Sequence, residues 1–169
     1  MVRAFARLRA KWSLSPAPVL VLVGEGSERQ SLERSASELG IRDGVHFVGW
    51  RSDIERIAQS FTVFTMSSRS EGTSVSLLEA MSSGLCPVVT DVGGNSAVLG
   101  PDLKHRLVAP SNPEALADAL SRALVDRESR EKDALTARDR VVSHFGLDAM
   151  VKRYEYLYAS GPHADVSGE

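Results

Sequence analysis

Two carboxylates, Glu71 and Glu79, flank a short polar stretch, Gly72-Thr73-Ser74, that runs into the apolar segment Val75 to Met81. The stretch follows a β-branched run and opens a helix near Thr73 or Ser74. Gly72, Thr73 and Ser74 then present free N–H groups at the positive end of that helix, a setting suited to a diphosphate. Glu79 falls one to two turns in, roughly 8 Å along the axis at about 1.5 Å per residue. A nucleotide with its phosphates on the helix tip would lay its ribose beside that turn, where a carboxylate accepts from both hydroxyls of a diol. The plainer alternative for Glu79 is an exposed helix glutamate. Its neighbours Leu77, Leu78, Ala80 and Met81 instead predict a helix buried on most sides, in which a carboxylate needs a partner. Taken alone, Glu71 fits a solvated loop residue equally well; the two acids at this spacing weigh more than either one.

Two other turns compete for ligands. Gly24-Glu25-Gly26-Ser27 follows an apolar run and begins like a dinucleotide fingerprint, but position 29 is Arg29 rather than glycine. No acidic residue ends the following strand to hold a ribose, so a nicotinamide cofactor is not expected there. Gly24 still allows some ligand to approach the backbone. Asp91-Val92-Gly93-Gly94-Asn95 fits either ligand access or a tight loop. His105, His144 and His163 lie in no metal-like spacing and His46 reads as a strand residue, so no metal is expected.

The elements that must position these turns follow from periodicity. Short runs rich in β-branched residues at Val19–Val23, Val45–Val48, Thr62–Met66, Pro87–Thr90 and Arg106–Val108 alternate with amphipathic stretches. That alternation predicts an α/β domain with a parallel sheet covered by helices. The first run is apolar throughout, as in a strand buried on both faces. Ser27-x-x-Gln30 and Ser52-x-x-Glu55 fit capping boxes, and Asn112-Pro113 fits an N-cap and first helical position. Gly40 and Gly84 sit where left-handed residues end helices. A helix is expected from Met1 to about Ala10, with Ala4, Phe5 and Leu8 on its apolar side, and others over Arg130–Phe145 and Leu147–Tyr158. The domain is placed at 1–160, with 161–169 a disordered tail.

Composition bounds the rest. The 169 residues suffice for one domain, and 43% apolar with 25% charged residues is ordinary for a globular chain. A net charge of −2 offers no clustered basic face for nucleic acid. A single cysteine, Cys86, permits no internal disulfide and predicts a reducing, cytoplasmic setting. No apolar run reaches bilayer-spanning length, and membrane association is not readable from these residues.

Glu71-x7-Glu79 resembles the motif of retaining glycosyltransferases with the GT-B fold, the large group that includes sucrose-phosphate synthases and bacterial polysaccharide glycosyltransferases. The resemblance extends over nearly the whole chain: Val23-Gly24-Glu25-Gly26, Val45-x-Phe47-x-Gly49, Ser68-x-x-Glu71-Gly72, Leu78-Glu79-Ala80-Met81, Pro87-Val88-Val89 and Val92-Gly93-Gly94 follow in order. It implies the Rossmann-like, doubly wound C-terminal half of that fold. It also implies a nucleotide-diphosphate sugar as donor, no separate cofactor, and transfer to an acceptor with retention. By position, Glu79 would hold the ribose, Glu71 the donor sugar, and the Gly72, Thr73 and Ser74 backbone the phosphates. Gly49 and Arg51 would face the base. Because the leaving diphosphate and the donor–acceptor geometry govern such chemistry, Glu71 counts as catalytic by positioning rather than as a general base.

The resemblance further implies a first strand followed by a cationic Arg and Lys clamp, and an N-terminal acceptor-binding domain; this chain has no counterpart of either. The acid three positions after Gly93-Gly94 is replaced by Ala97, and a glycine before the last strand by His105 or Arg106. In the order 3-2-1-4-5-6 the implied first strand would lie between the runs at Val19 and Thr62. An inactive nucleotide-sugar-binding module is the alternative. A glycoside hydrolase is disfavoured, because its carboxylates face each other across a cleft.

Overall fold

The computed structural model describes residues 1–160, and the tail expected at 161–169 lies outside them. Helices and parallel strands alternate as the periodicity requires. Helix α1 (Val2–Lys11) precedes β1 (Leu20–Val23), α2 (Arg29–Glu38), β2 (Val45–Gly49), α3 (Ile54–Ala58) and β3 (Val63–Met66). Then come α4 (Val75–Ser82), β4 (Cys86–Thr90), α5 (Asn95–Leu99), β5 (Leu107–Val108), α6 (Pro113–Val125), α7 (Arg127–Phe145) and α8 (Leu147–Ser160).

The sheet is in two parts. β3, β4 and β5 pair in that order, and β1 pairs with β2; all pairings are parallel. β4 is buried at every position. Its alternating side chains feed two cores: Val88 joins Leu116 and Leu120 of α6, while Val89 joins Leu77 and Met81 of α4 and Val141 of α7. This is the period-two geometry of a strand covered by helices on both faces.

β1 does not reach that state. Leu20 is buried, Val21 to Val23 are half-buried, and Val19 lies outside the strand, exposed. The expectation of two buried faces fails because no strand among the described residues lies along the second edge of β1. Between β1 and β3 lies a cavity of about 710 Å³, lined by both strands, by Phe5 and Leu8 of α1, and by Leu120 and Leu124 of α6. The two flanking strands stay apart, leaving a gap where the doubly wound order places a central strand.

Helix α1 spans the interruption. Val2, Ala4, Phe5 and Leu8 are buried in one cluster with Leu20, Val45 and the α6 residues Leu116 and Ala117. Exposed ion pairs, Arg7–Glu114 at 3.0 Å and Lys11–Glu114 at 2.5 Å, flank the apolar contact with α6. Arg9 reaches Asp43, in the 3-10 turn before β2, at 3.1 Å.

The helix ends mix agreement and correction. Asn112 Oδ1 accepts from the Ala115 N–H at 3.0 Å, and Gly40 and Gly84 adopt φ of +67° and +75°. Neither expected capping box forms. α2 starts from Glu28 and α3 from Asp53, each without a side-chain cap bond. Asp53 is engaged by Arg51 instead. On α8, Met150, Val151 and Tyr154 are exposed, and Tyr154 stacks with Tyr158 at 6.4 Å between ring centroids.

Candidate functional site

The carboxyl end of β3 leads into the loop 67–74, and Ser74 fixes where the loop becomes helix. Its hydroxyl oxygen accepts from the Leu77 N–H at 3.3 Å and donates to Met66 Sδ at 3.5 Å, tying the start of α4 to the end of β3. Ser74 is buried, whereas Gly72 and Thr73 are exposed. A side chain added at Gly72 would meet no atom within 4 Å, so the space above the loop is open. At this helix start the first N–H groups lack intrahelical acceptors and lie at the positive end of the dipole, and Ser74 Oγ takes the one from Leu77.

Glu71 is half-buried, and its Oε1 accepts from the Ser68 hydroxyl at 2.6 Å. One carboxylate oxygen is thereby engaged and the other left available. Glu79 corrects the expectation of a crowded setting. Helix α4 buries Leu77, Ala80 and Met81, but Glu79 is on its exposed side and its carboxylate has no hydrogen-bond partner among the described residues. The apolar neighbours turn toward β4 and α7, which leaves the acid facing water at no desolvation cost.

The third turn is brought against this loop. Gly94 N–H donates to the Gly72 carbonyl at 3.0 Å. Gly93 adopts φ of +52°, and a Cβ there would drive into the Glu71 carbonyl oxygen. A Cβ on Gly94 would stand 2.7 Å from the Gly72 oxygen. The glycine pair therefore serves close backbone approach between the loops after β3 and β4, which settles one purpose for the tight turn.

At the ends of β1 and β2, Gly24 and Gly49 meet. Gly24 N–H donates to the Gly49 carbonyl at 2.8 Å, beside a register shift between Leu22 and Val23. Both glycines have positive φ, +120° and +72°. Arg29, standing where a dinucleotide fingerprint needs glycine, bonds Glu25 at 2.8 Å and the Phe47 carbonyl at 3.3 Å. It fastens the turn instead of opening it to a pyrophosphate. Arg51 is exposed and forms a two-pronged pair with Asp53 at 2.8 and 2.7 Å. The pair holds the Asp53 carboxyl below its usual range and raises Arg51 further. Trp50, between Gly49 and Arg51, is 74% exposed, and no motif in the sequence marks it.

Away from these turns, His105 and Arg106 converge on Asp133 at 2.6 Å each, a tie between the start of β5 and α7. Burial raises the Cys86 thiol to about 11, which suits an inert core residue. No helix is long and apolar enough to cross a membrane among the described residues.

Known proteins resemble this chain in sequence and in fold. The lipopolysaccharide core biosynthesis glycosyltransferase LpsE of Rhizobium meliloti is 29% identical over 162 residues, 96% of this chain and 46% of LpsE. The chain thus spans about half the length of the curated relatives it matches. HepE of Anabaena, solved in complex with UDP, superposes with a TM-score of 0.83 at 20% identity over 95% of this chain and 44% of HepE. Sucrose-phosphate synthase of Thermosynechococcus elongatus gives 0.77 at 26% identity, over 95% of this chain and 43% of the synthase. The model of the family described as Glycosyl transferases group 1 matches residues 1–140, and the chain belongs to that family.

Proposed function

We propose that the protein is the donor-binding half of a retaining glycosyltransferase, holding a nucleotide-diphosphate sugar whose sugar passes to an acceptor carried on a second surface. The observation that carries this reading is the α4 start: an open loop over Gly72 at the head of the helix, with Glu71 and Glu79 both keeping carboxylate oxygens without a partner among the described residues. The diphosphate meets the backbone N–H groups of Gly72, Thr73 and Ser74. Glu79 accepts from the ribose hydroxyls and Glu71 from a hydroxyl of the sugar. The Gly24 and Gly49 turns and Arg51 lie toward the base, and HepE, solved with UDP and with UDP-glucose, supports uridine as the first base to try. The chemistry asks for positioning and charge stabilisation at the leaving diphosphate rather than for a general base. A lone thiol without a disulfide partner supports a cytoplasmic setting.

Calorimetry with UDP, GDP and ADP, free and as sugar conjugates, tests the assignment. Binding by residues 1–169 is weak, since no Arg–Lys clamp stands at the α4 start among the described residues, and Glu79→Ala weakens it by about 1–3 kcal/mol. Equal affinity in the wild type and the variant would remove Glu79 from the site. The purified chain alone transfers no sugar, because two substrates must be held together for reaction. Robust transfer to a defined acceptor would overturn the donor-half reading.

A further inference from the structure

We propose that Thr90 is a positioning residue for the Glu71 carboxylate, acting through Ser68, and that Asn95 holds Thr90 in turn. The proposal rests on the donor-sugar reading of Glu71 and extends it to residues that touch no ligand.

Thr90 is the last residue of β4 and 2% exposed, a hydroxyl at the end of an otherwise apolar strand where valine would fill the same space. That hydroxyl crosses to the neighbouring loop and donates to the Ser68 carbonyl at 2.8 Å. Ser68 is thereby fixed, and its own hydroxyl donates to Glu71 Oε1 at 2.6 Å. On the other side, the Thr90 carbonyl accepts from Asn95 Nδ2 at 2.9 Å and from the Val92 N–H at 3.0 Å. Asn95 is fully buried, and its Oδ1 has no partner among the described residues. An unmet acceptor in the interior is costly, so the single bond to Thr90 is what its amide contributes.

These contacts divide the task of holding Glu71. Gly93 and Gly94 fix the backbone of Glu71 and Gly72, and the Asn95–Thr90–Ser68 series fixes the side chain. A loop carboxylate on free rotamers would lose conformational entropy on gripping a sugar hydroxyl; one already anchored through Oε1 does so less, and offers Oε2 in a set direction. The expected consequence is selective. Loosening the series weakens capture of a sugar-bearing donor and spares the bare nucleoside diphosphate, whose contacts lie with α4.

The test compares Thr90→Val, which keeps shape and removes the hydroxyl, with Thr90→Ser, which keeps it. In the ligand-free protein, Thr90→Val shifts the carbon resonance of the Glu71 carboxyl, and Thr90→Ser leaves it near the wild-type position. In titrations followed by the same signals, Thr90→Val raises the dissociation constant for UDP-glucose by up to about tenfold and leaves that for UDP unchanged, the scale of one hydrogen bond. Equal losses for the two ligands, no loss for either, or a Thr90→Ser variant as impaired as Thr90→Val would overturn the proposal. Should the wild type bind neither ligand, the donor-binding reading falls. The ligand-free measurement then decides the relay alone, and an unmoved Glu71 resonance in Thr90→Val sinks it.

Discussion

The half of the domain built on β3, β4 and β5 is packed on both faces and carries a braced loop, whereas the half built on β1 and β2 has an open edge and turns held by Gly24, Gly49 and Arg29. β1 and β4 are similarly apolar in sequence, yet only β4 is buried throughout. Burial of a strand belongs to its neighbours as much as to its residues. The same contrast runs through the candidate site. Glu71 is fixed by Ser68 from the side and by Gly93 and Gly94 from behind, while Gly49, Trp50 and Arg51 line an edge where the guanidinium is occupied by Asp53.

The sharpest way to probe this contrast is matched truncation. Leu77→Ala, in the fully buried core under α4, is expected to cost about 2–5 kcal/mol, and Leu22→Ala, half-buried beside the cavity, less than half as much. Chemical denaturation of the two variants measures it; equal losses would show the β1–β2 half to be packed as firmly as the other.

The open edge can also be filled. A five-residue β-branched segment with a flexible linker, placed ahead of Met1, is expected to enter between β1 and β3 and raise the melting temperature by roughly 5–10 °C, about 2–3 kcal/mol for a domain of this size. The unextended chain should associate more readily, having unpaired strand edges and the exposed Met150, Val151 and Tyr154 stripe. Light scattering and thermal unfolding of both forms, with a proline-interrupted segment as control, decide the matter. A monomeric short form that unfolds cooperatively and is no less stable than the extended one would show that the sheet needs no further strand.

The smallest intervention is a single methyl group. Gly93→Ala meets the Glu71 carbonyl and a positive φ together, and is expected to cost about 1–3 kcal/mol. UDP-glucose binding, followed by titration, should fall with it. Undiminished binding would mean that the brace between the two loops does not set Glu71.

Much of this arrangement was legible in the residues, and the exceptions share a cause. The short β-branched runs locate the strands because preference for extended backbone is local, and Asn112-Pro113, Gly40 and Gly84 mark helix ends because their conformational demands are local too. The Ser27 and Ser52 capping boxes are local patterns that lose to competitors: α2 starts one residue beyond Glu28, and Asp53 takes the N-cap of α3 while bound to Arg51. Glu79 misleads because composition gives the apolarity of a helix but not which way its exposed stripe points. The Thr90–Ser68 bond joins residues brought side by side only by the parallel pairing of β3 with β4, so no spacing in the chain announces it.

Helix α1 gives the interrupted sheet a mechanical character of its own. A continuous strand ladder fixes register residue by residue, since slipping by one position turns every side chain over. The join that α1 makes with α6 is different in kind. It rests on excluded water around Phe5 and Leu8, a force without direction, and on exposed ion pairs at Glu114 that salt screens. Such a joint resists separation through burial shared by α1, β1, β2, β4 and α6, without a ladder to fix register. The Gly24–Gly49 turns and the Glu71 loop belong to different ladders, so what sets the span between them is this packed contact and not a strand pairing.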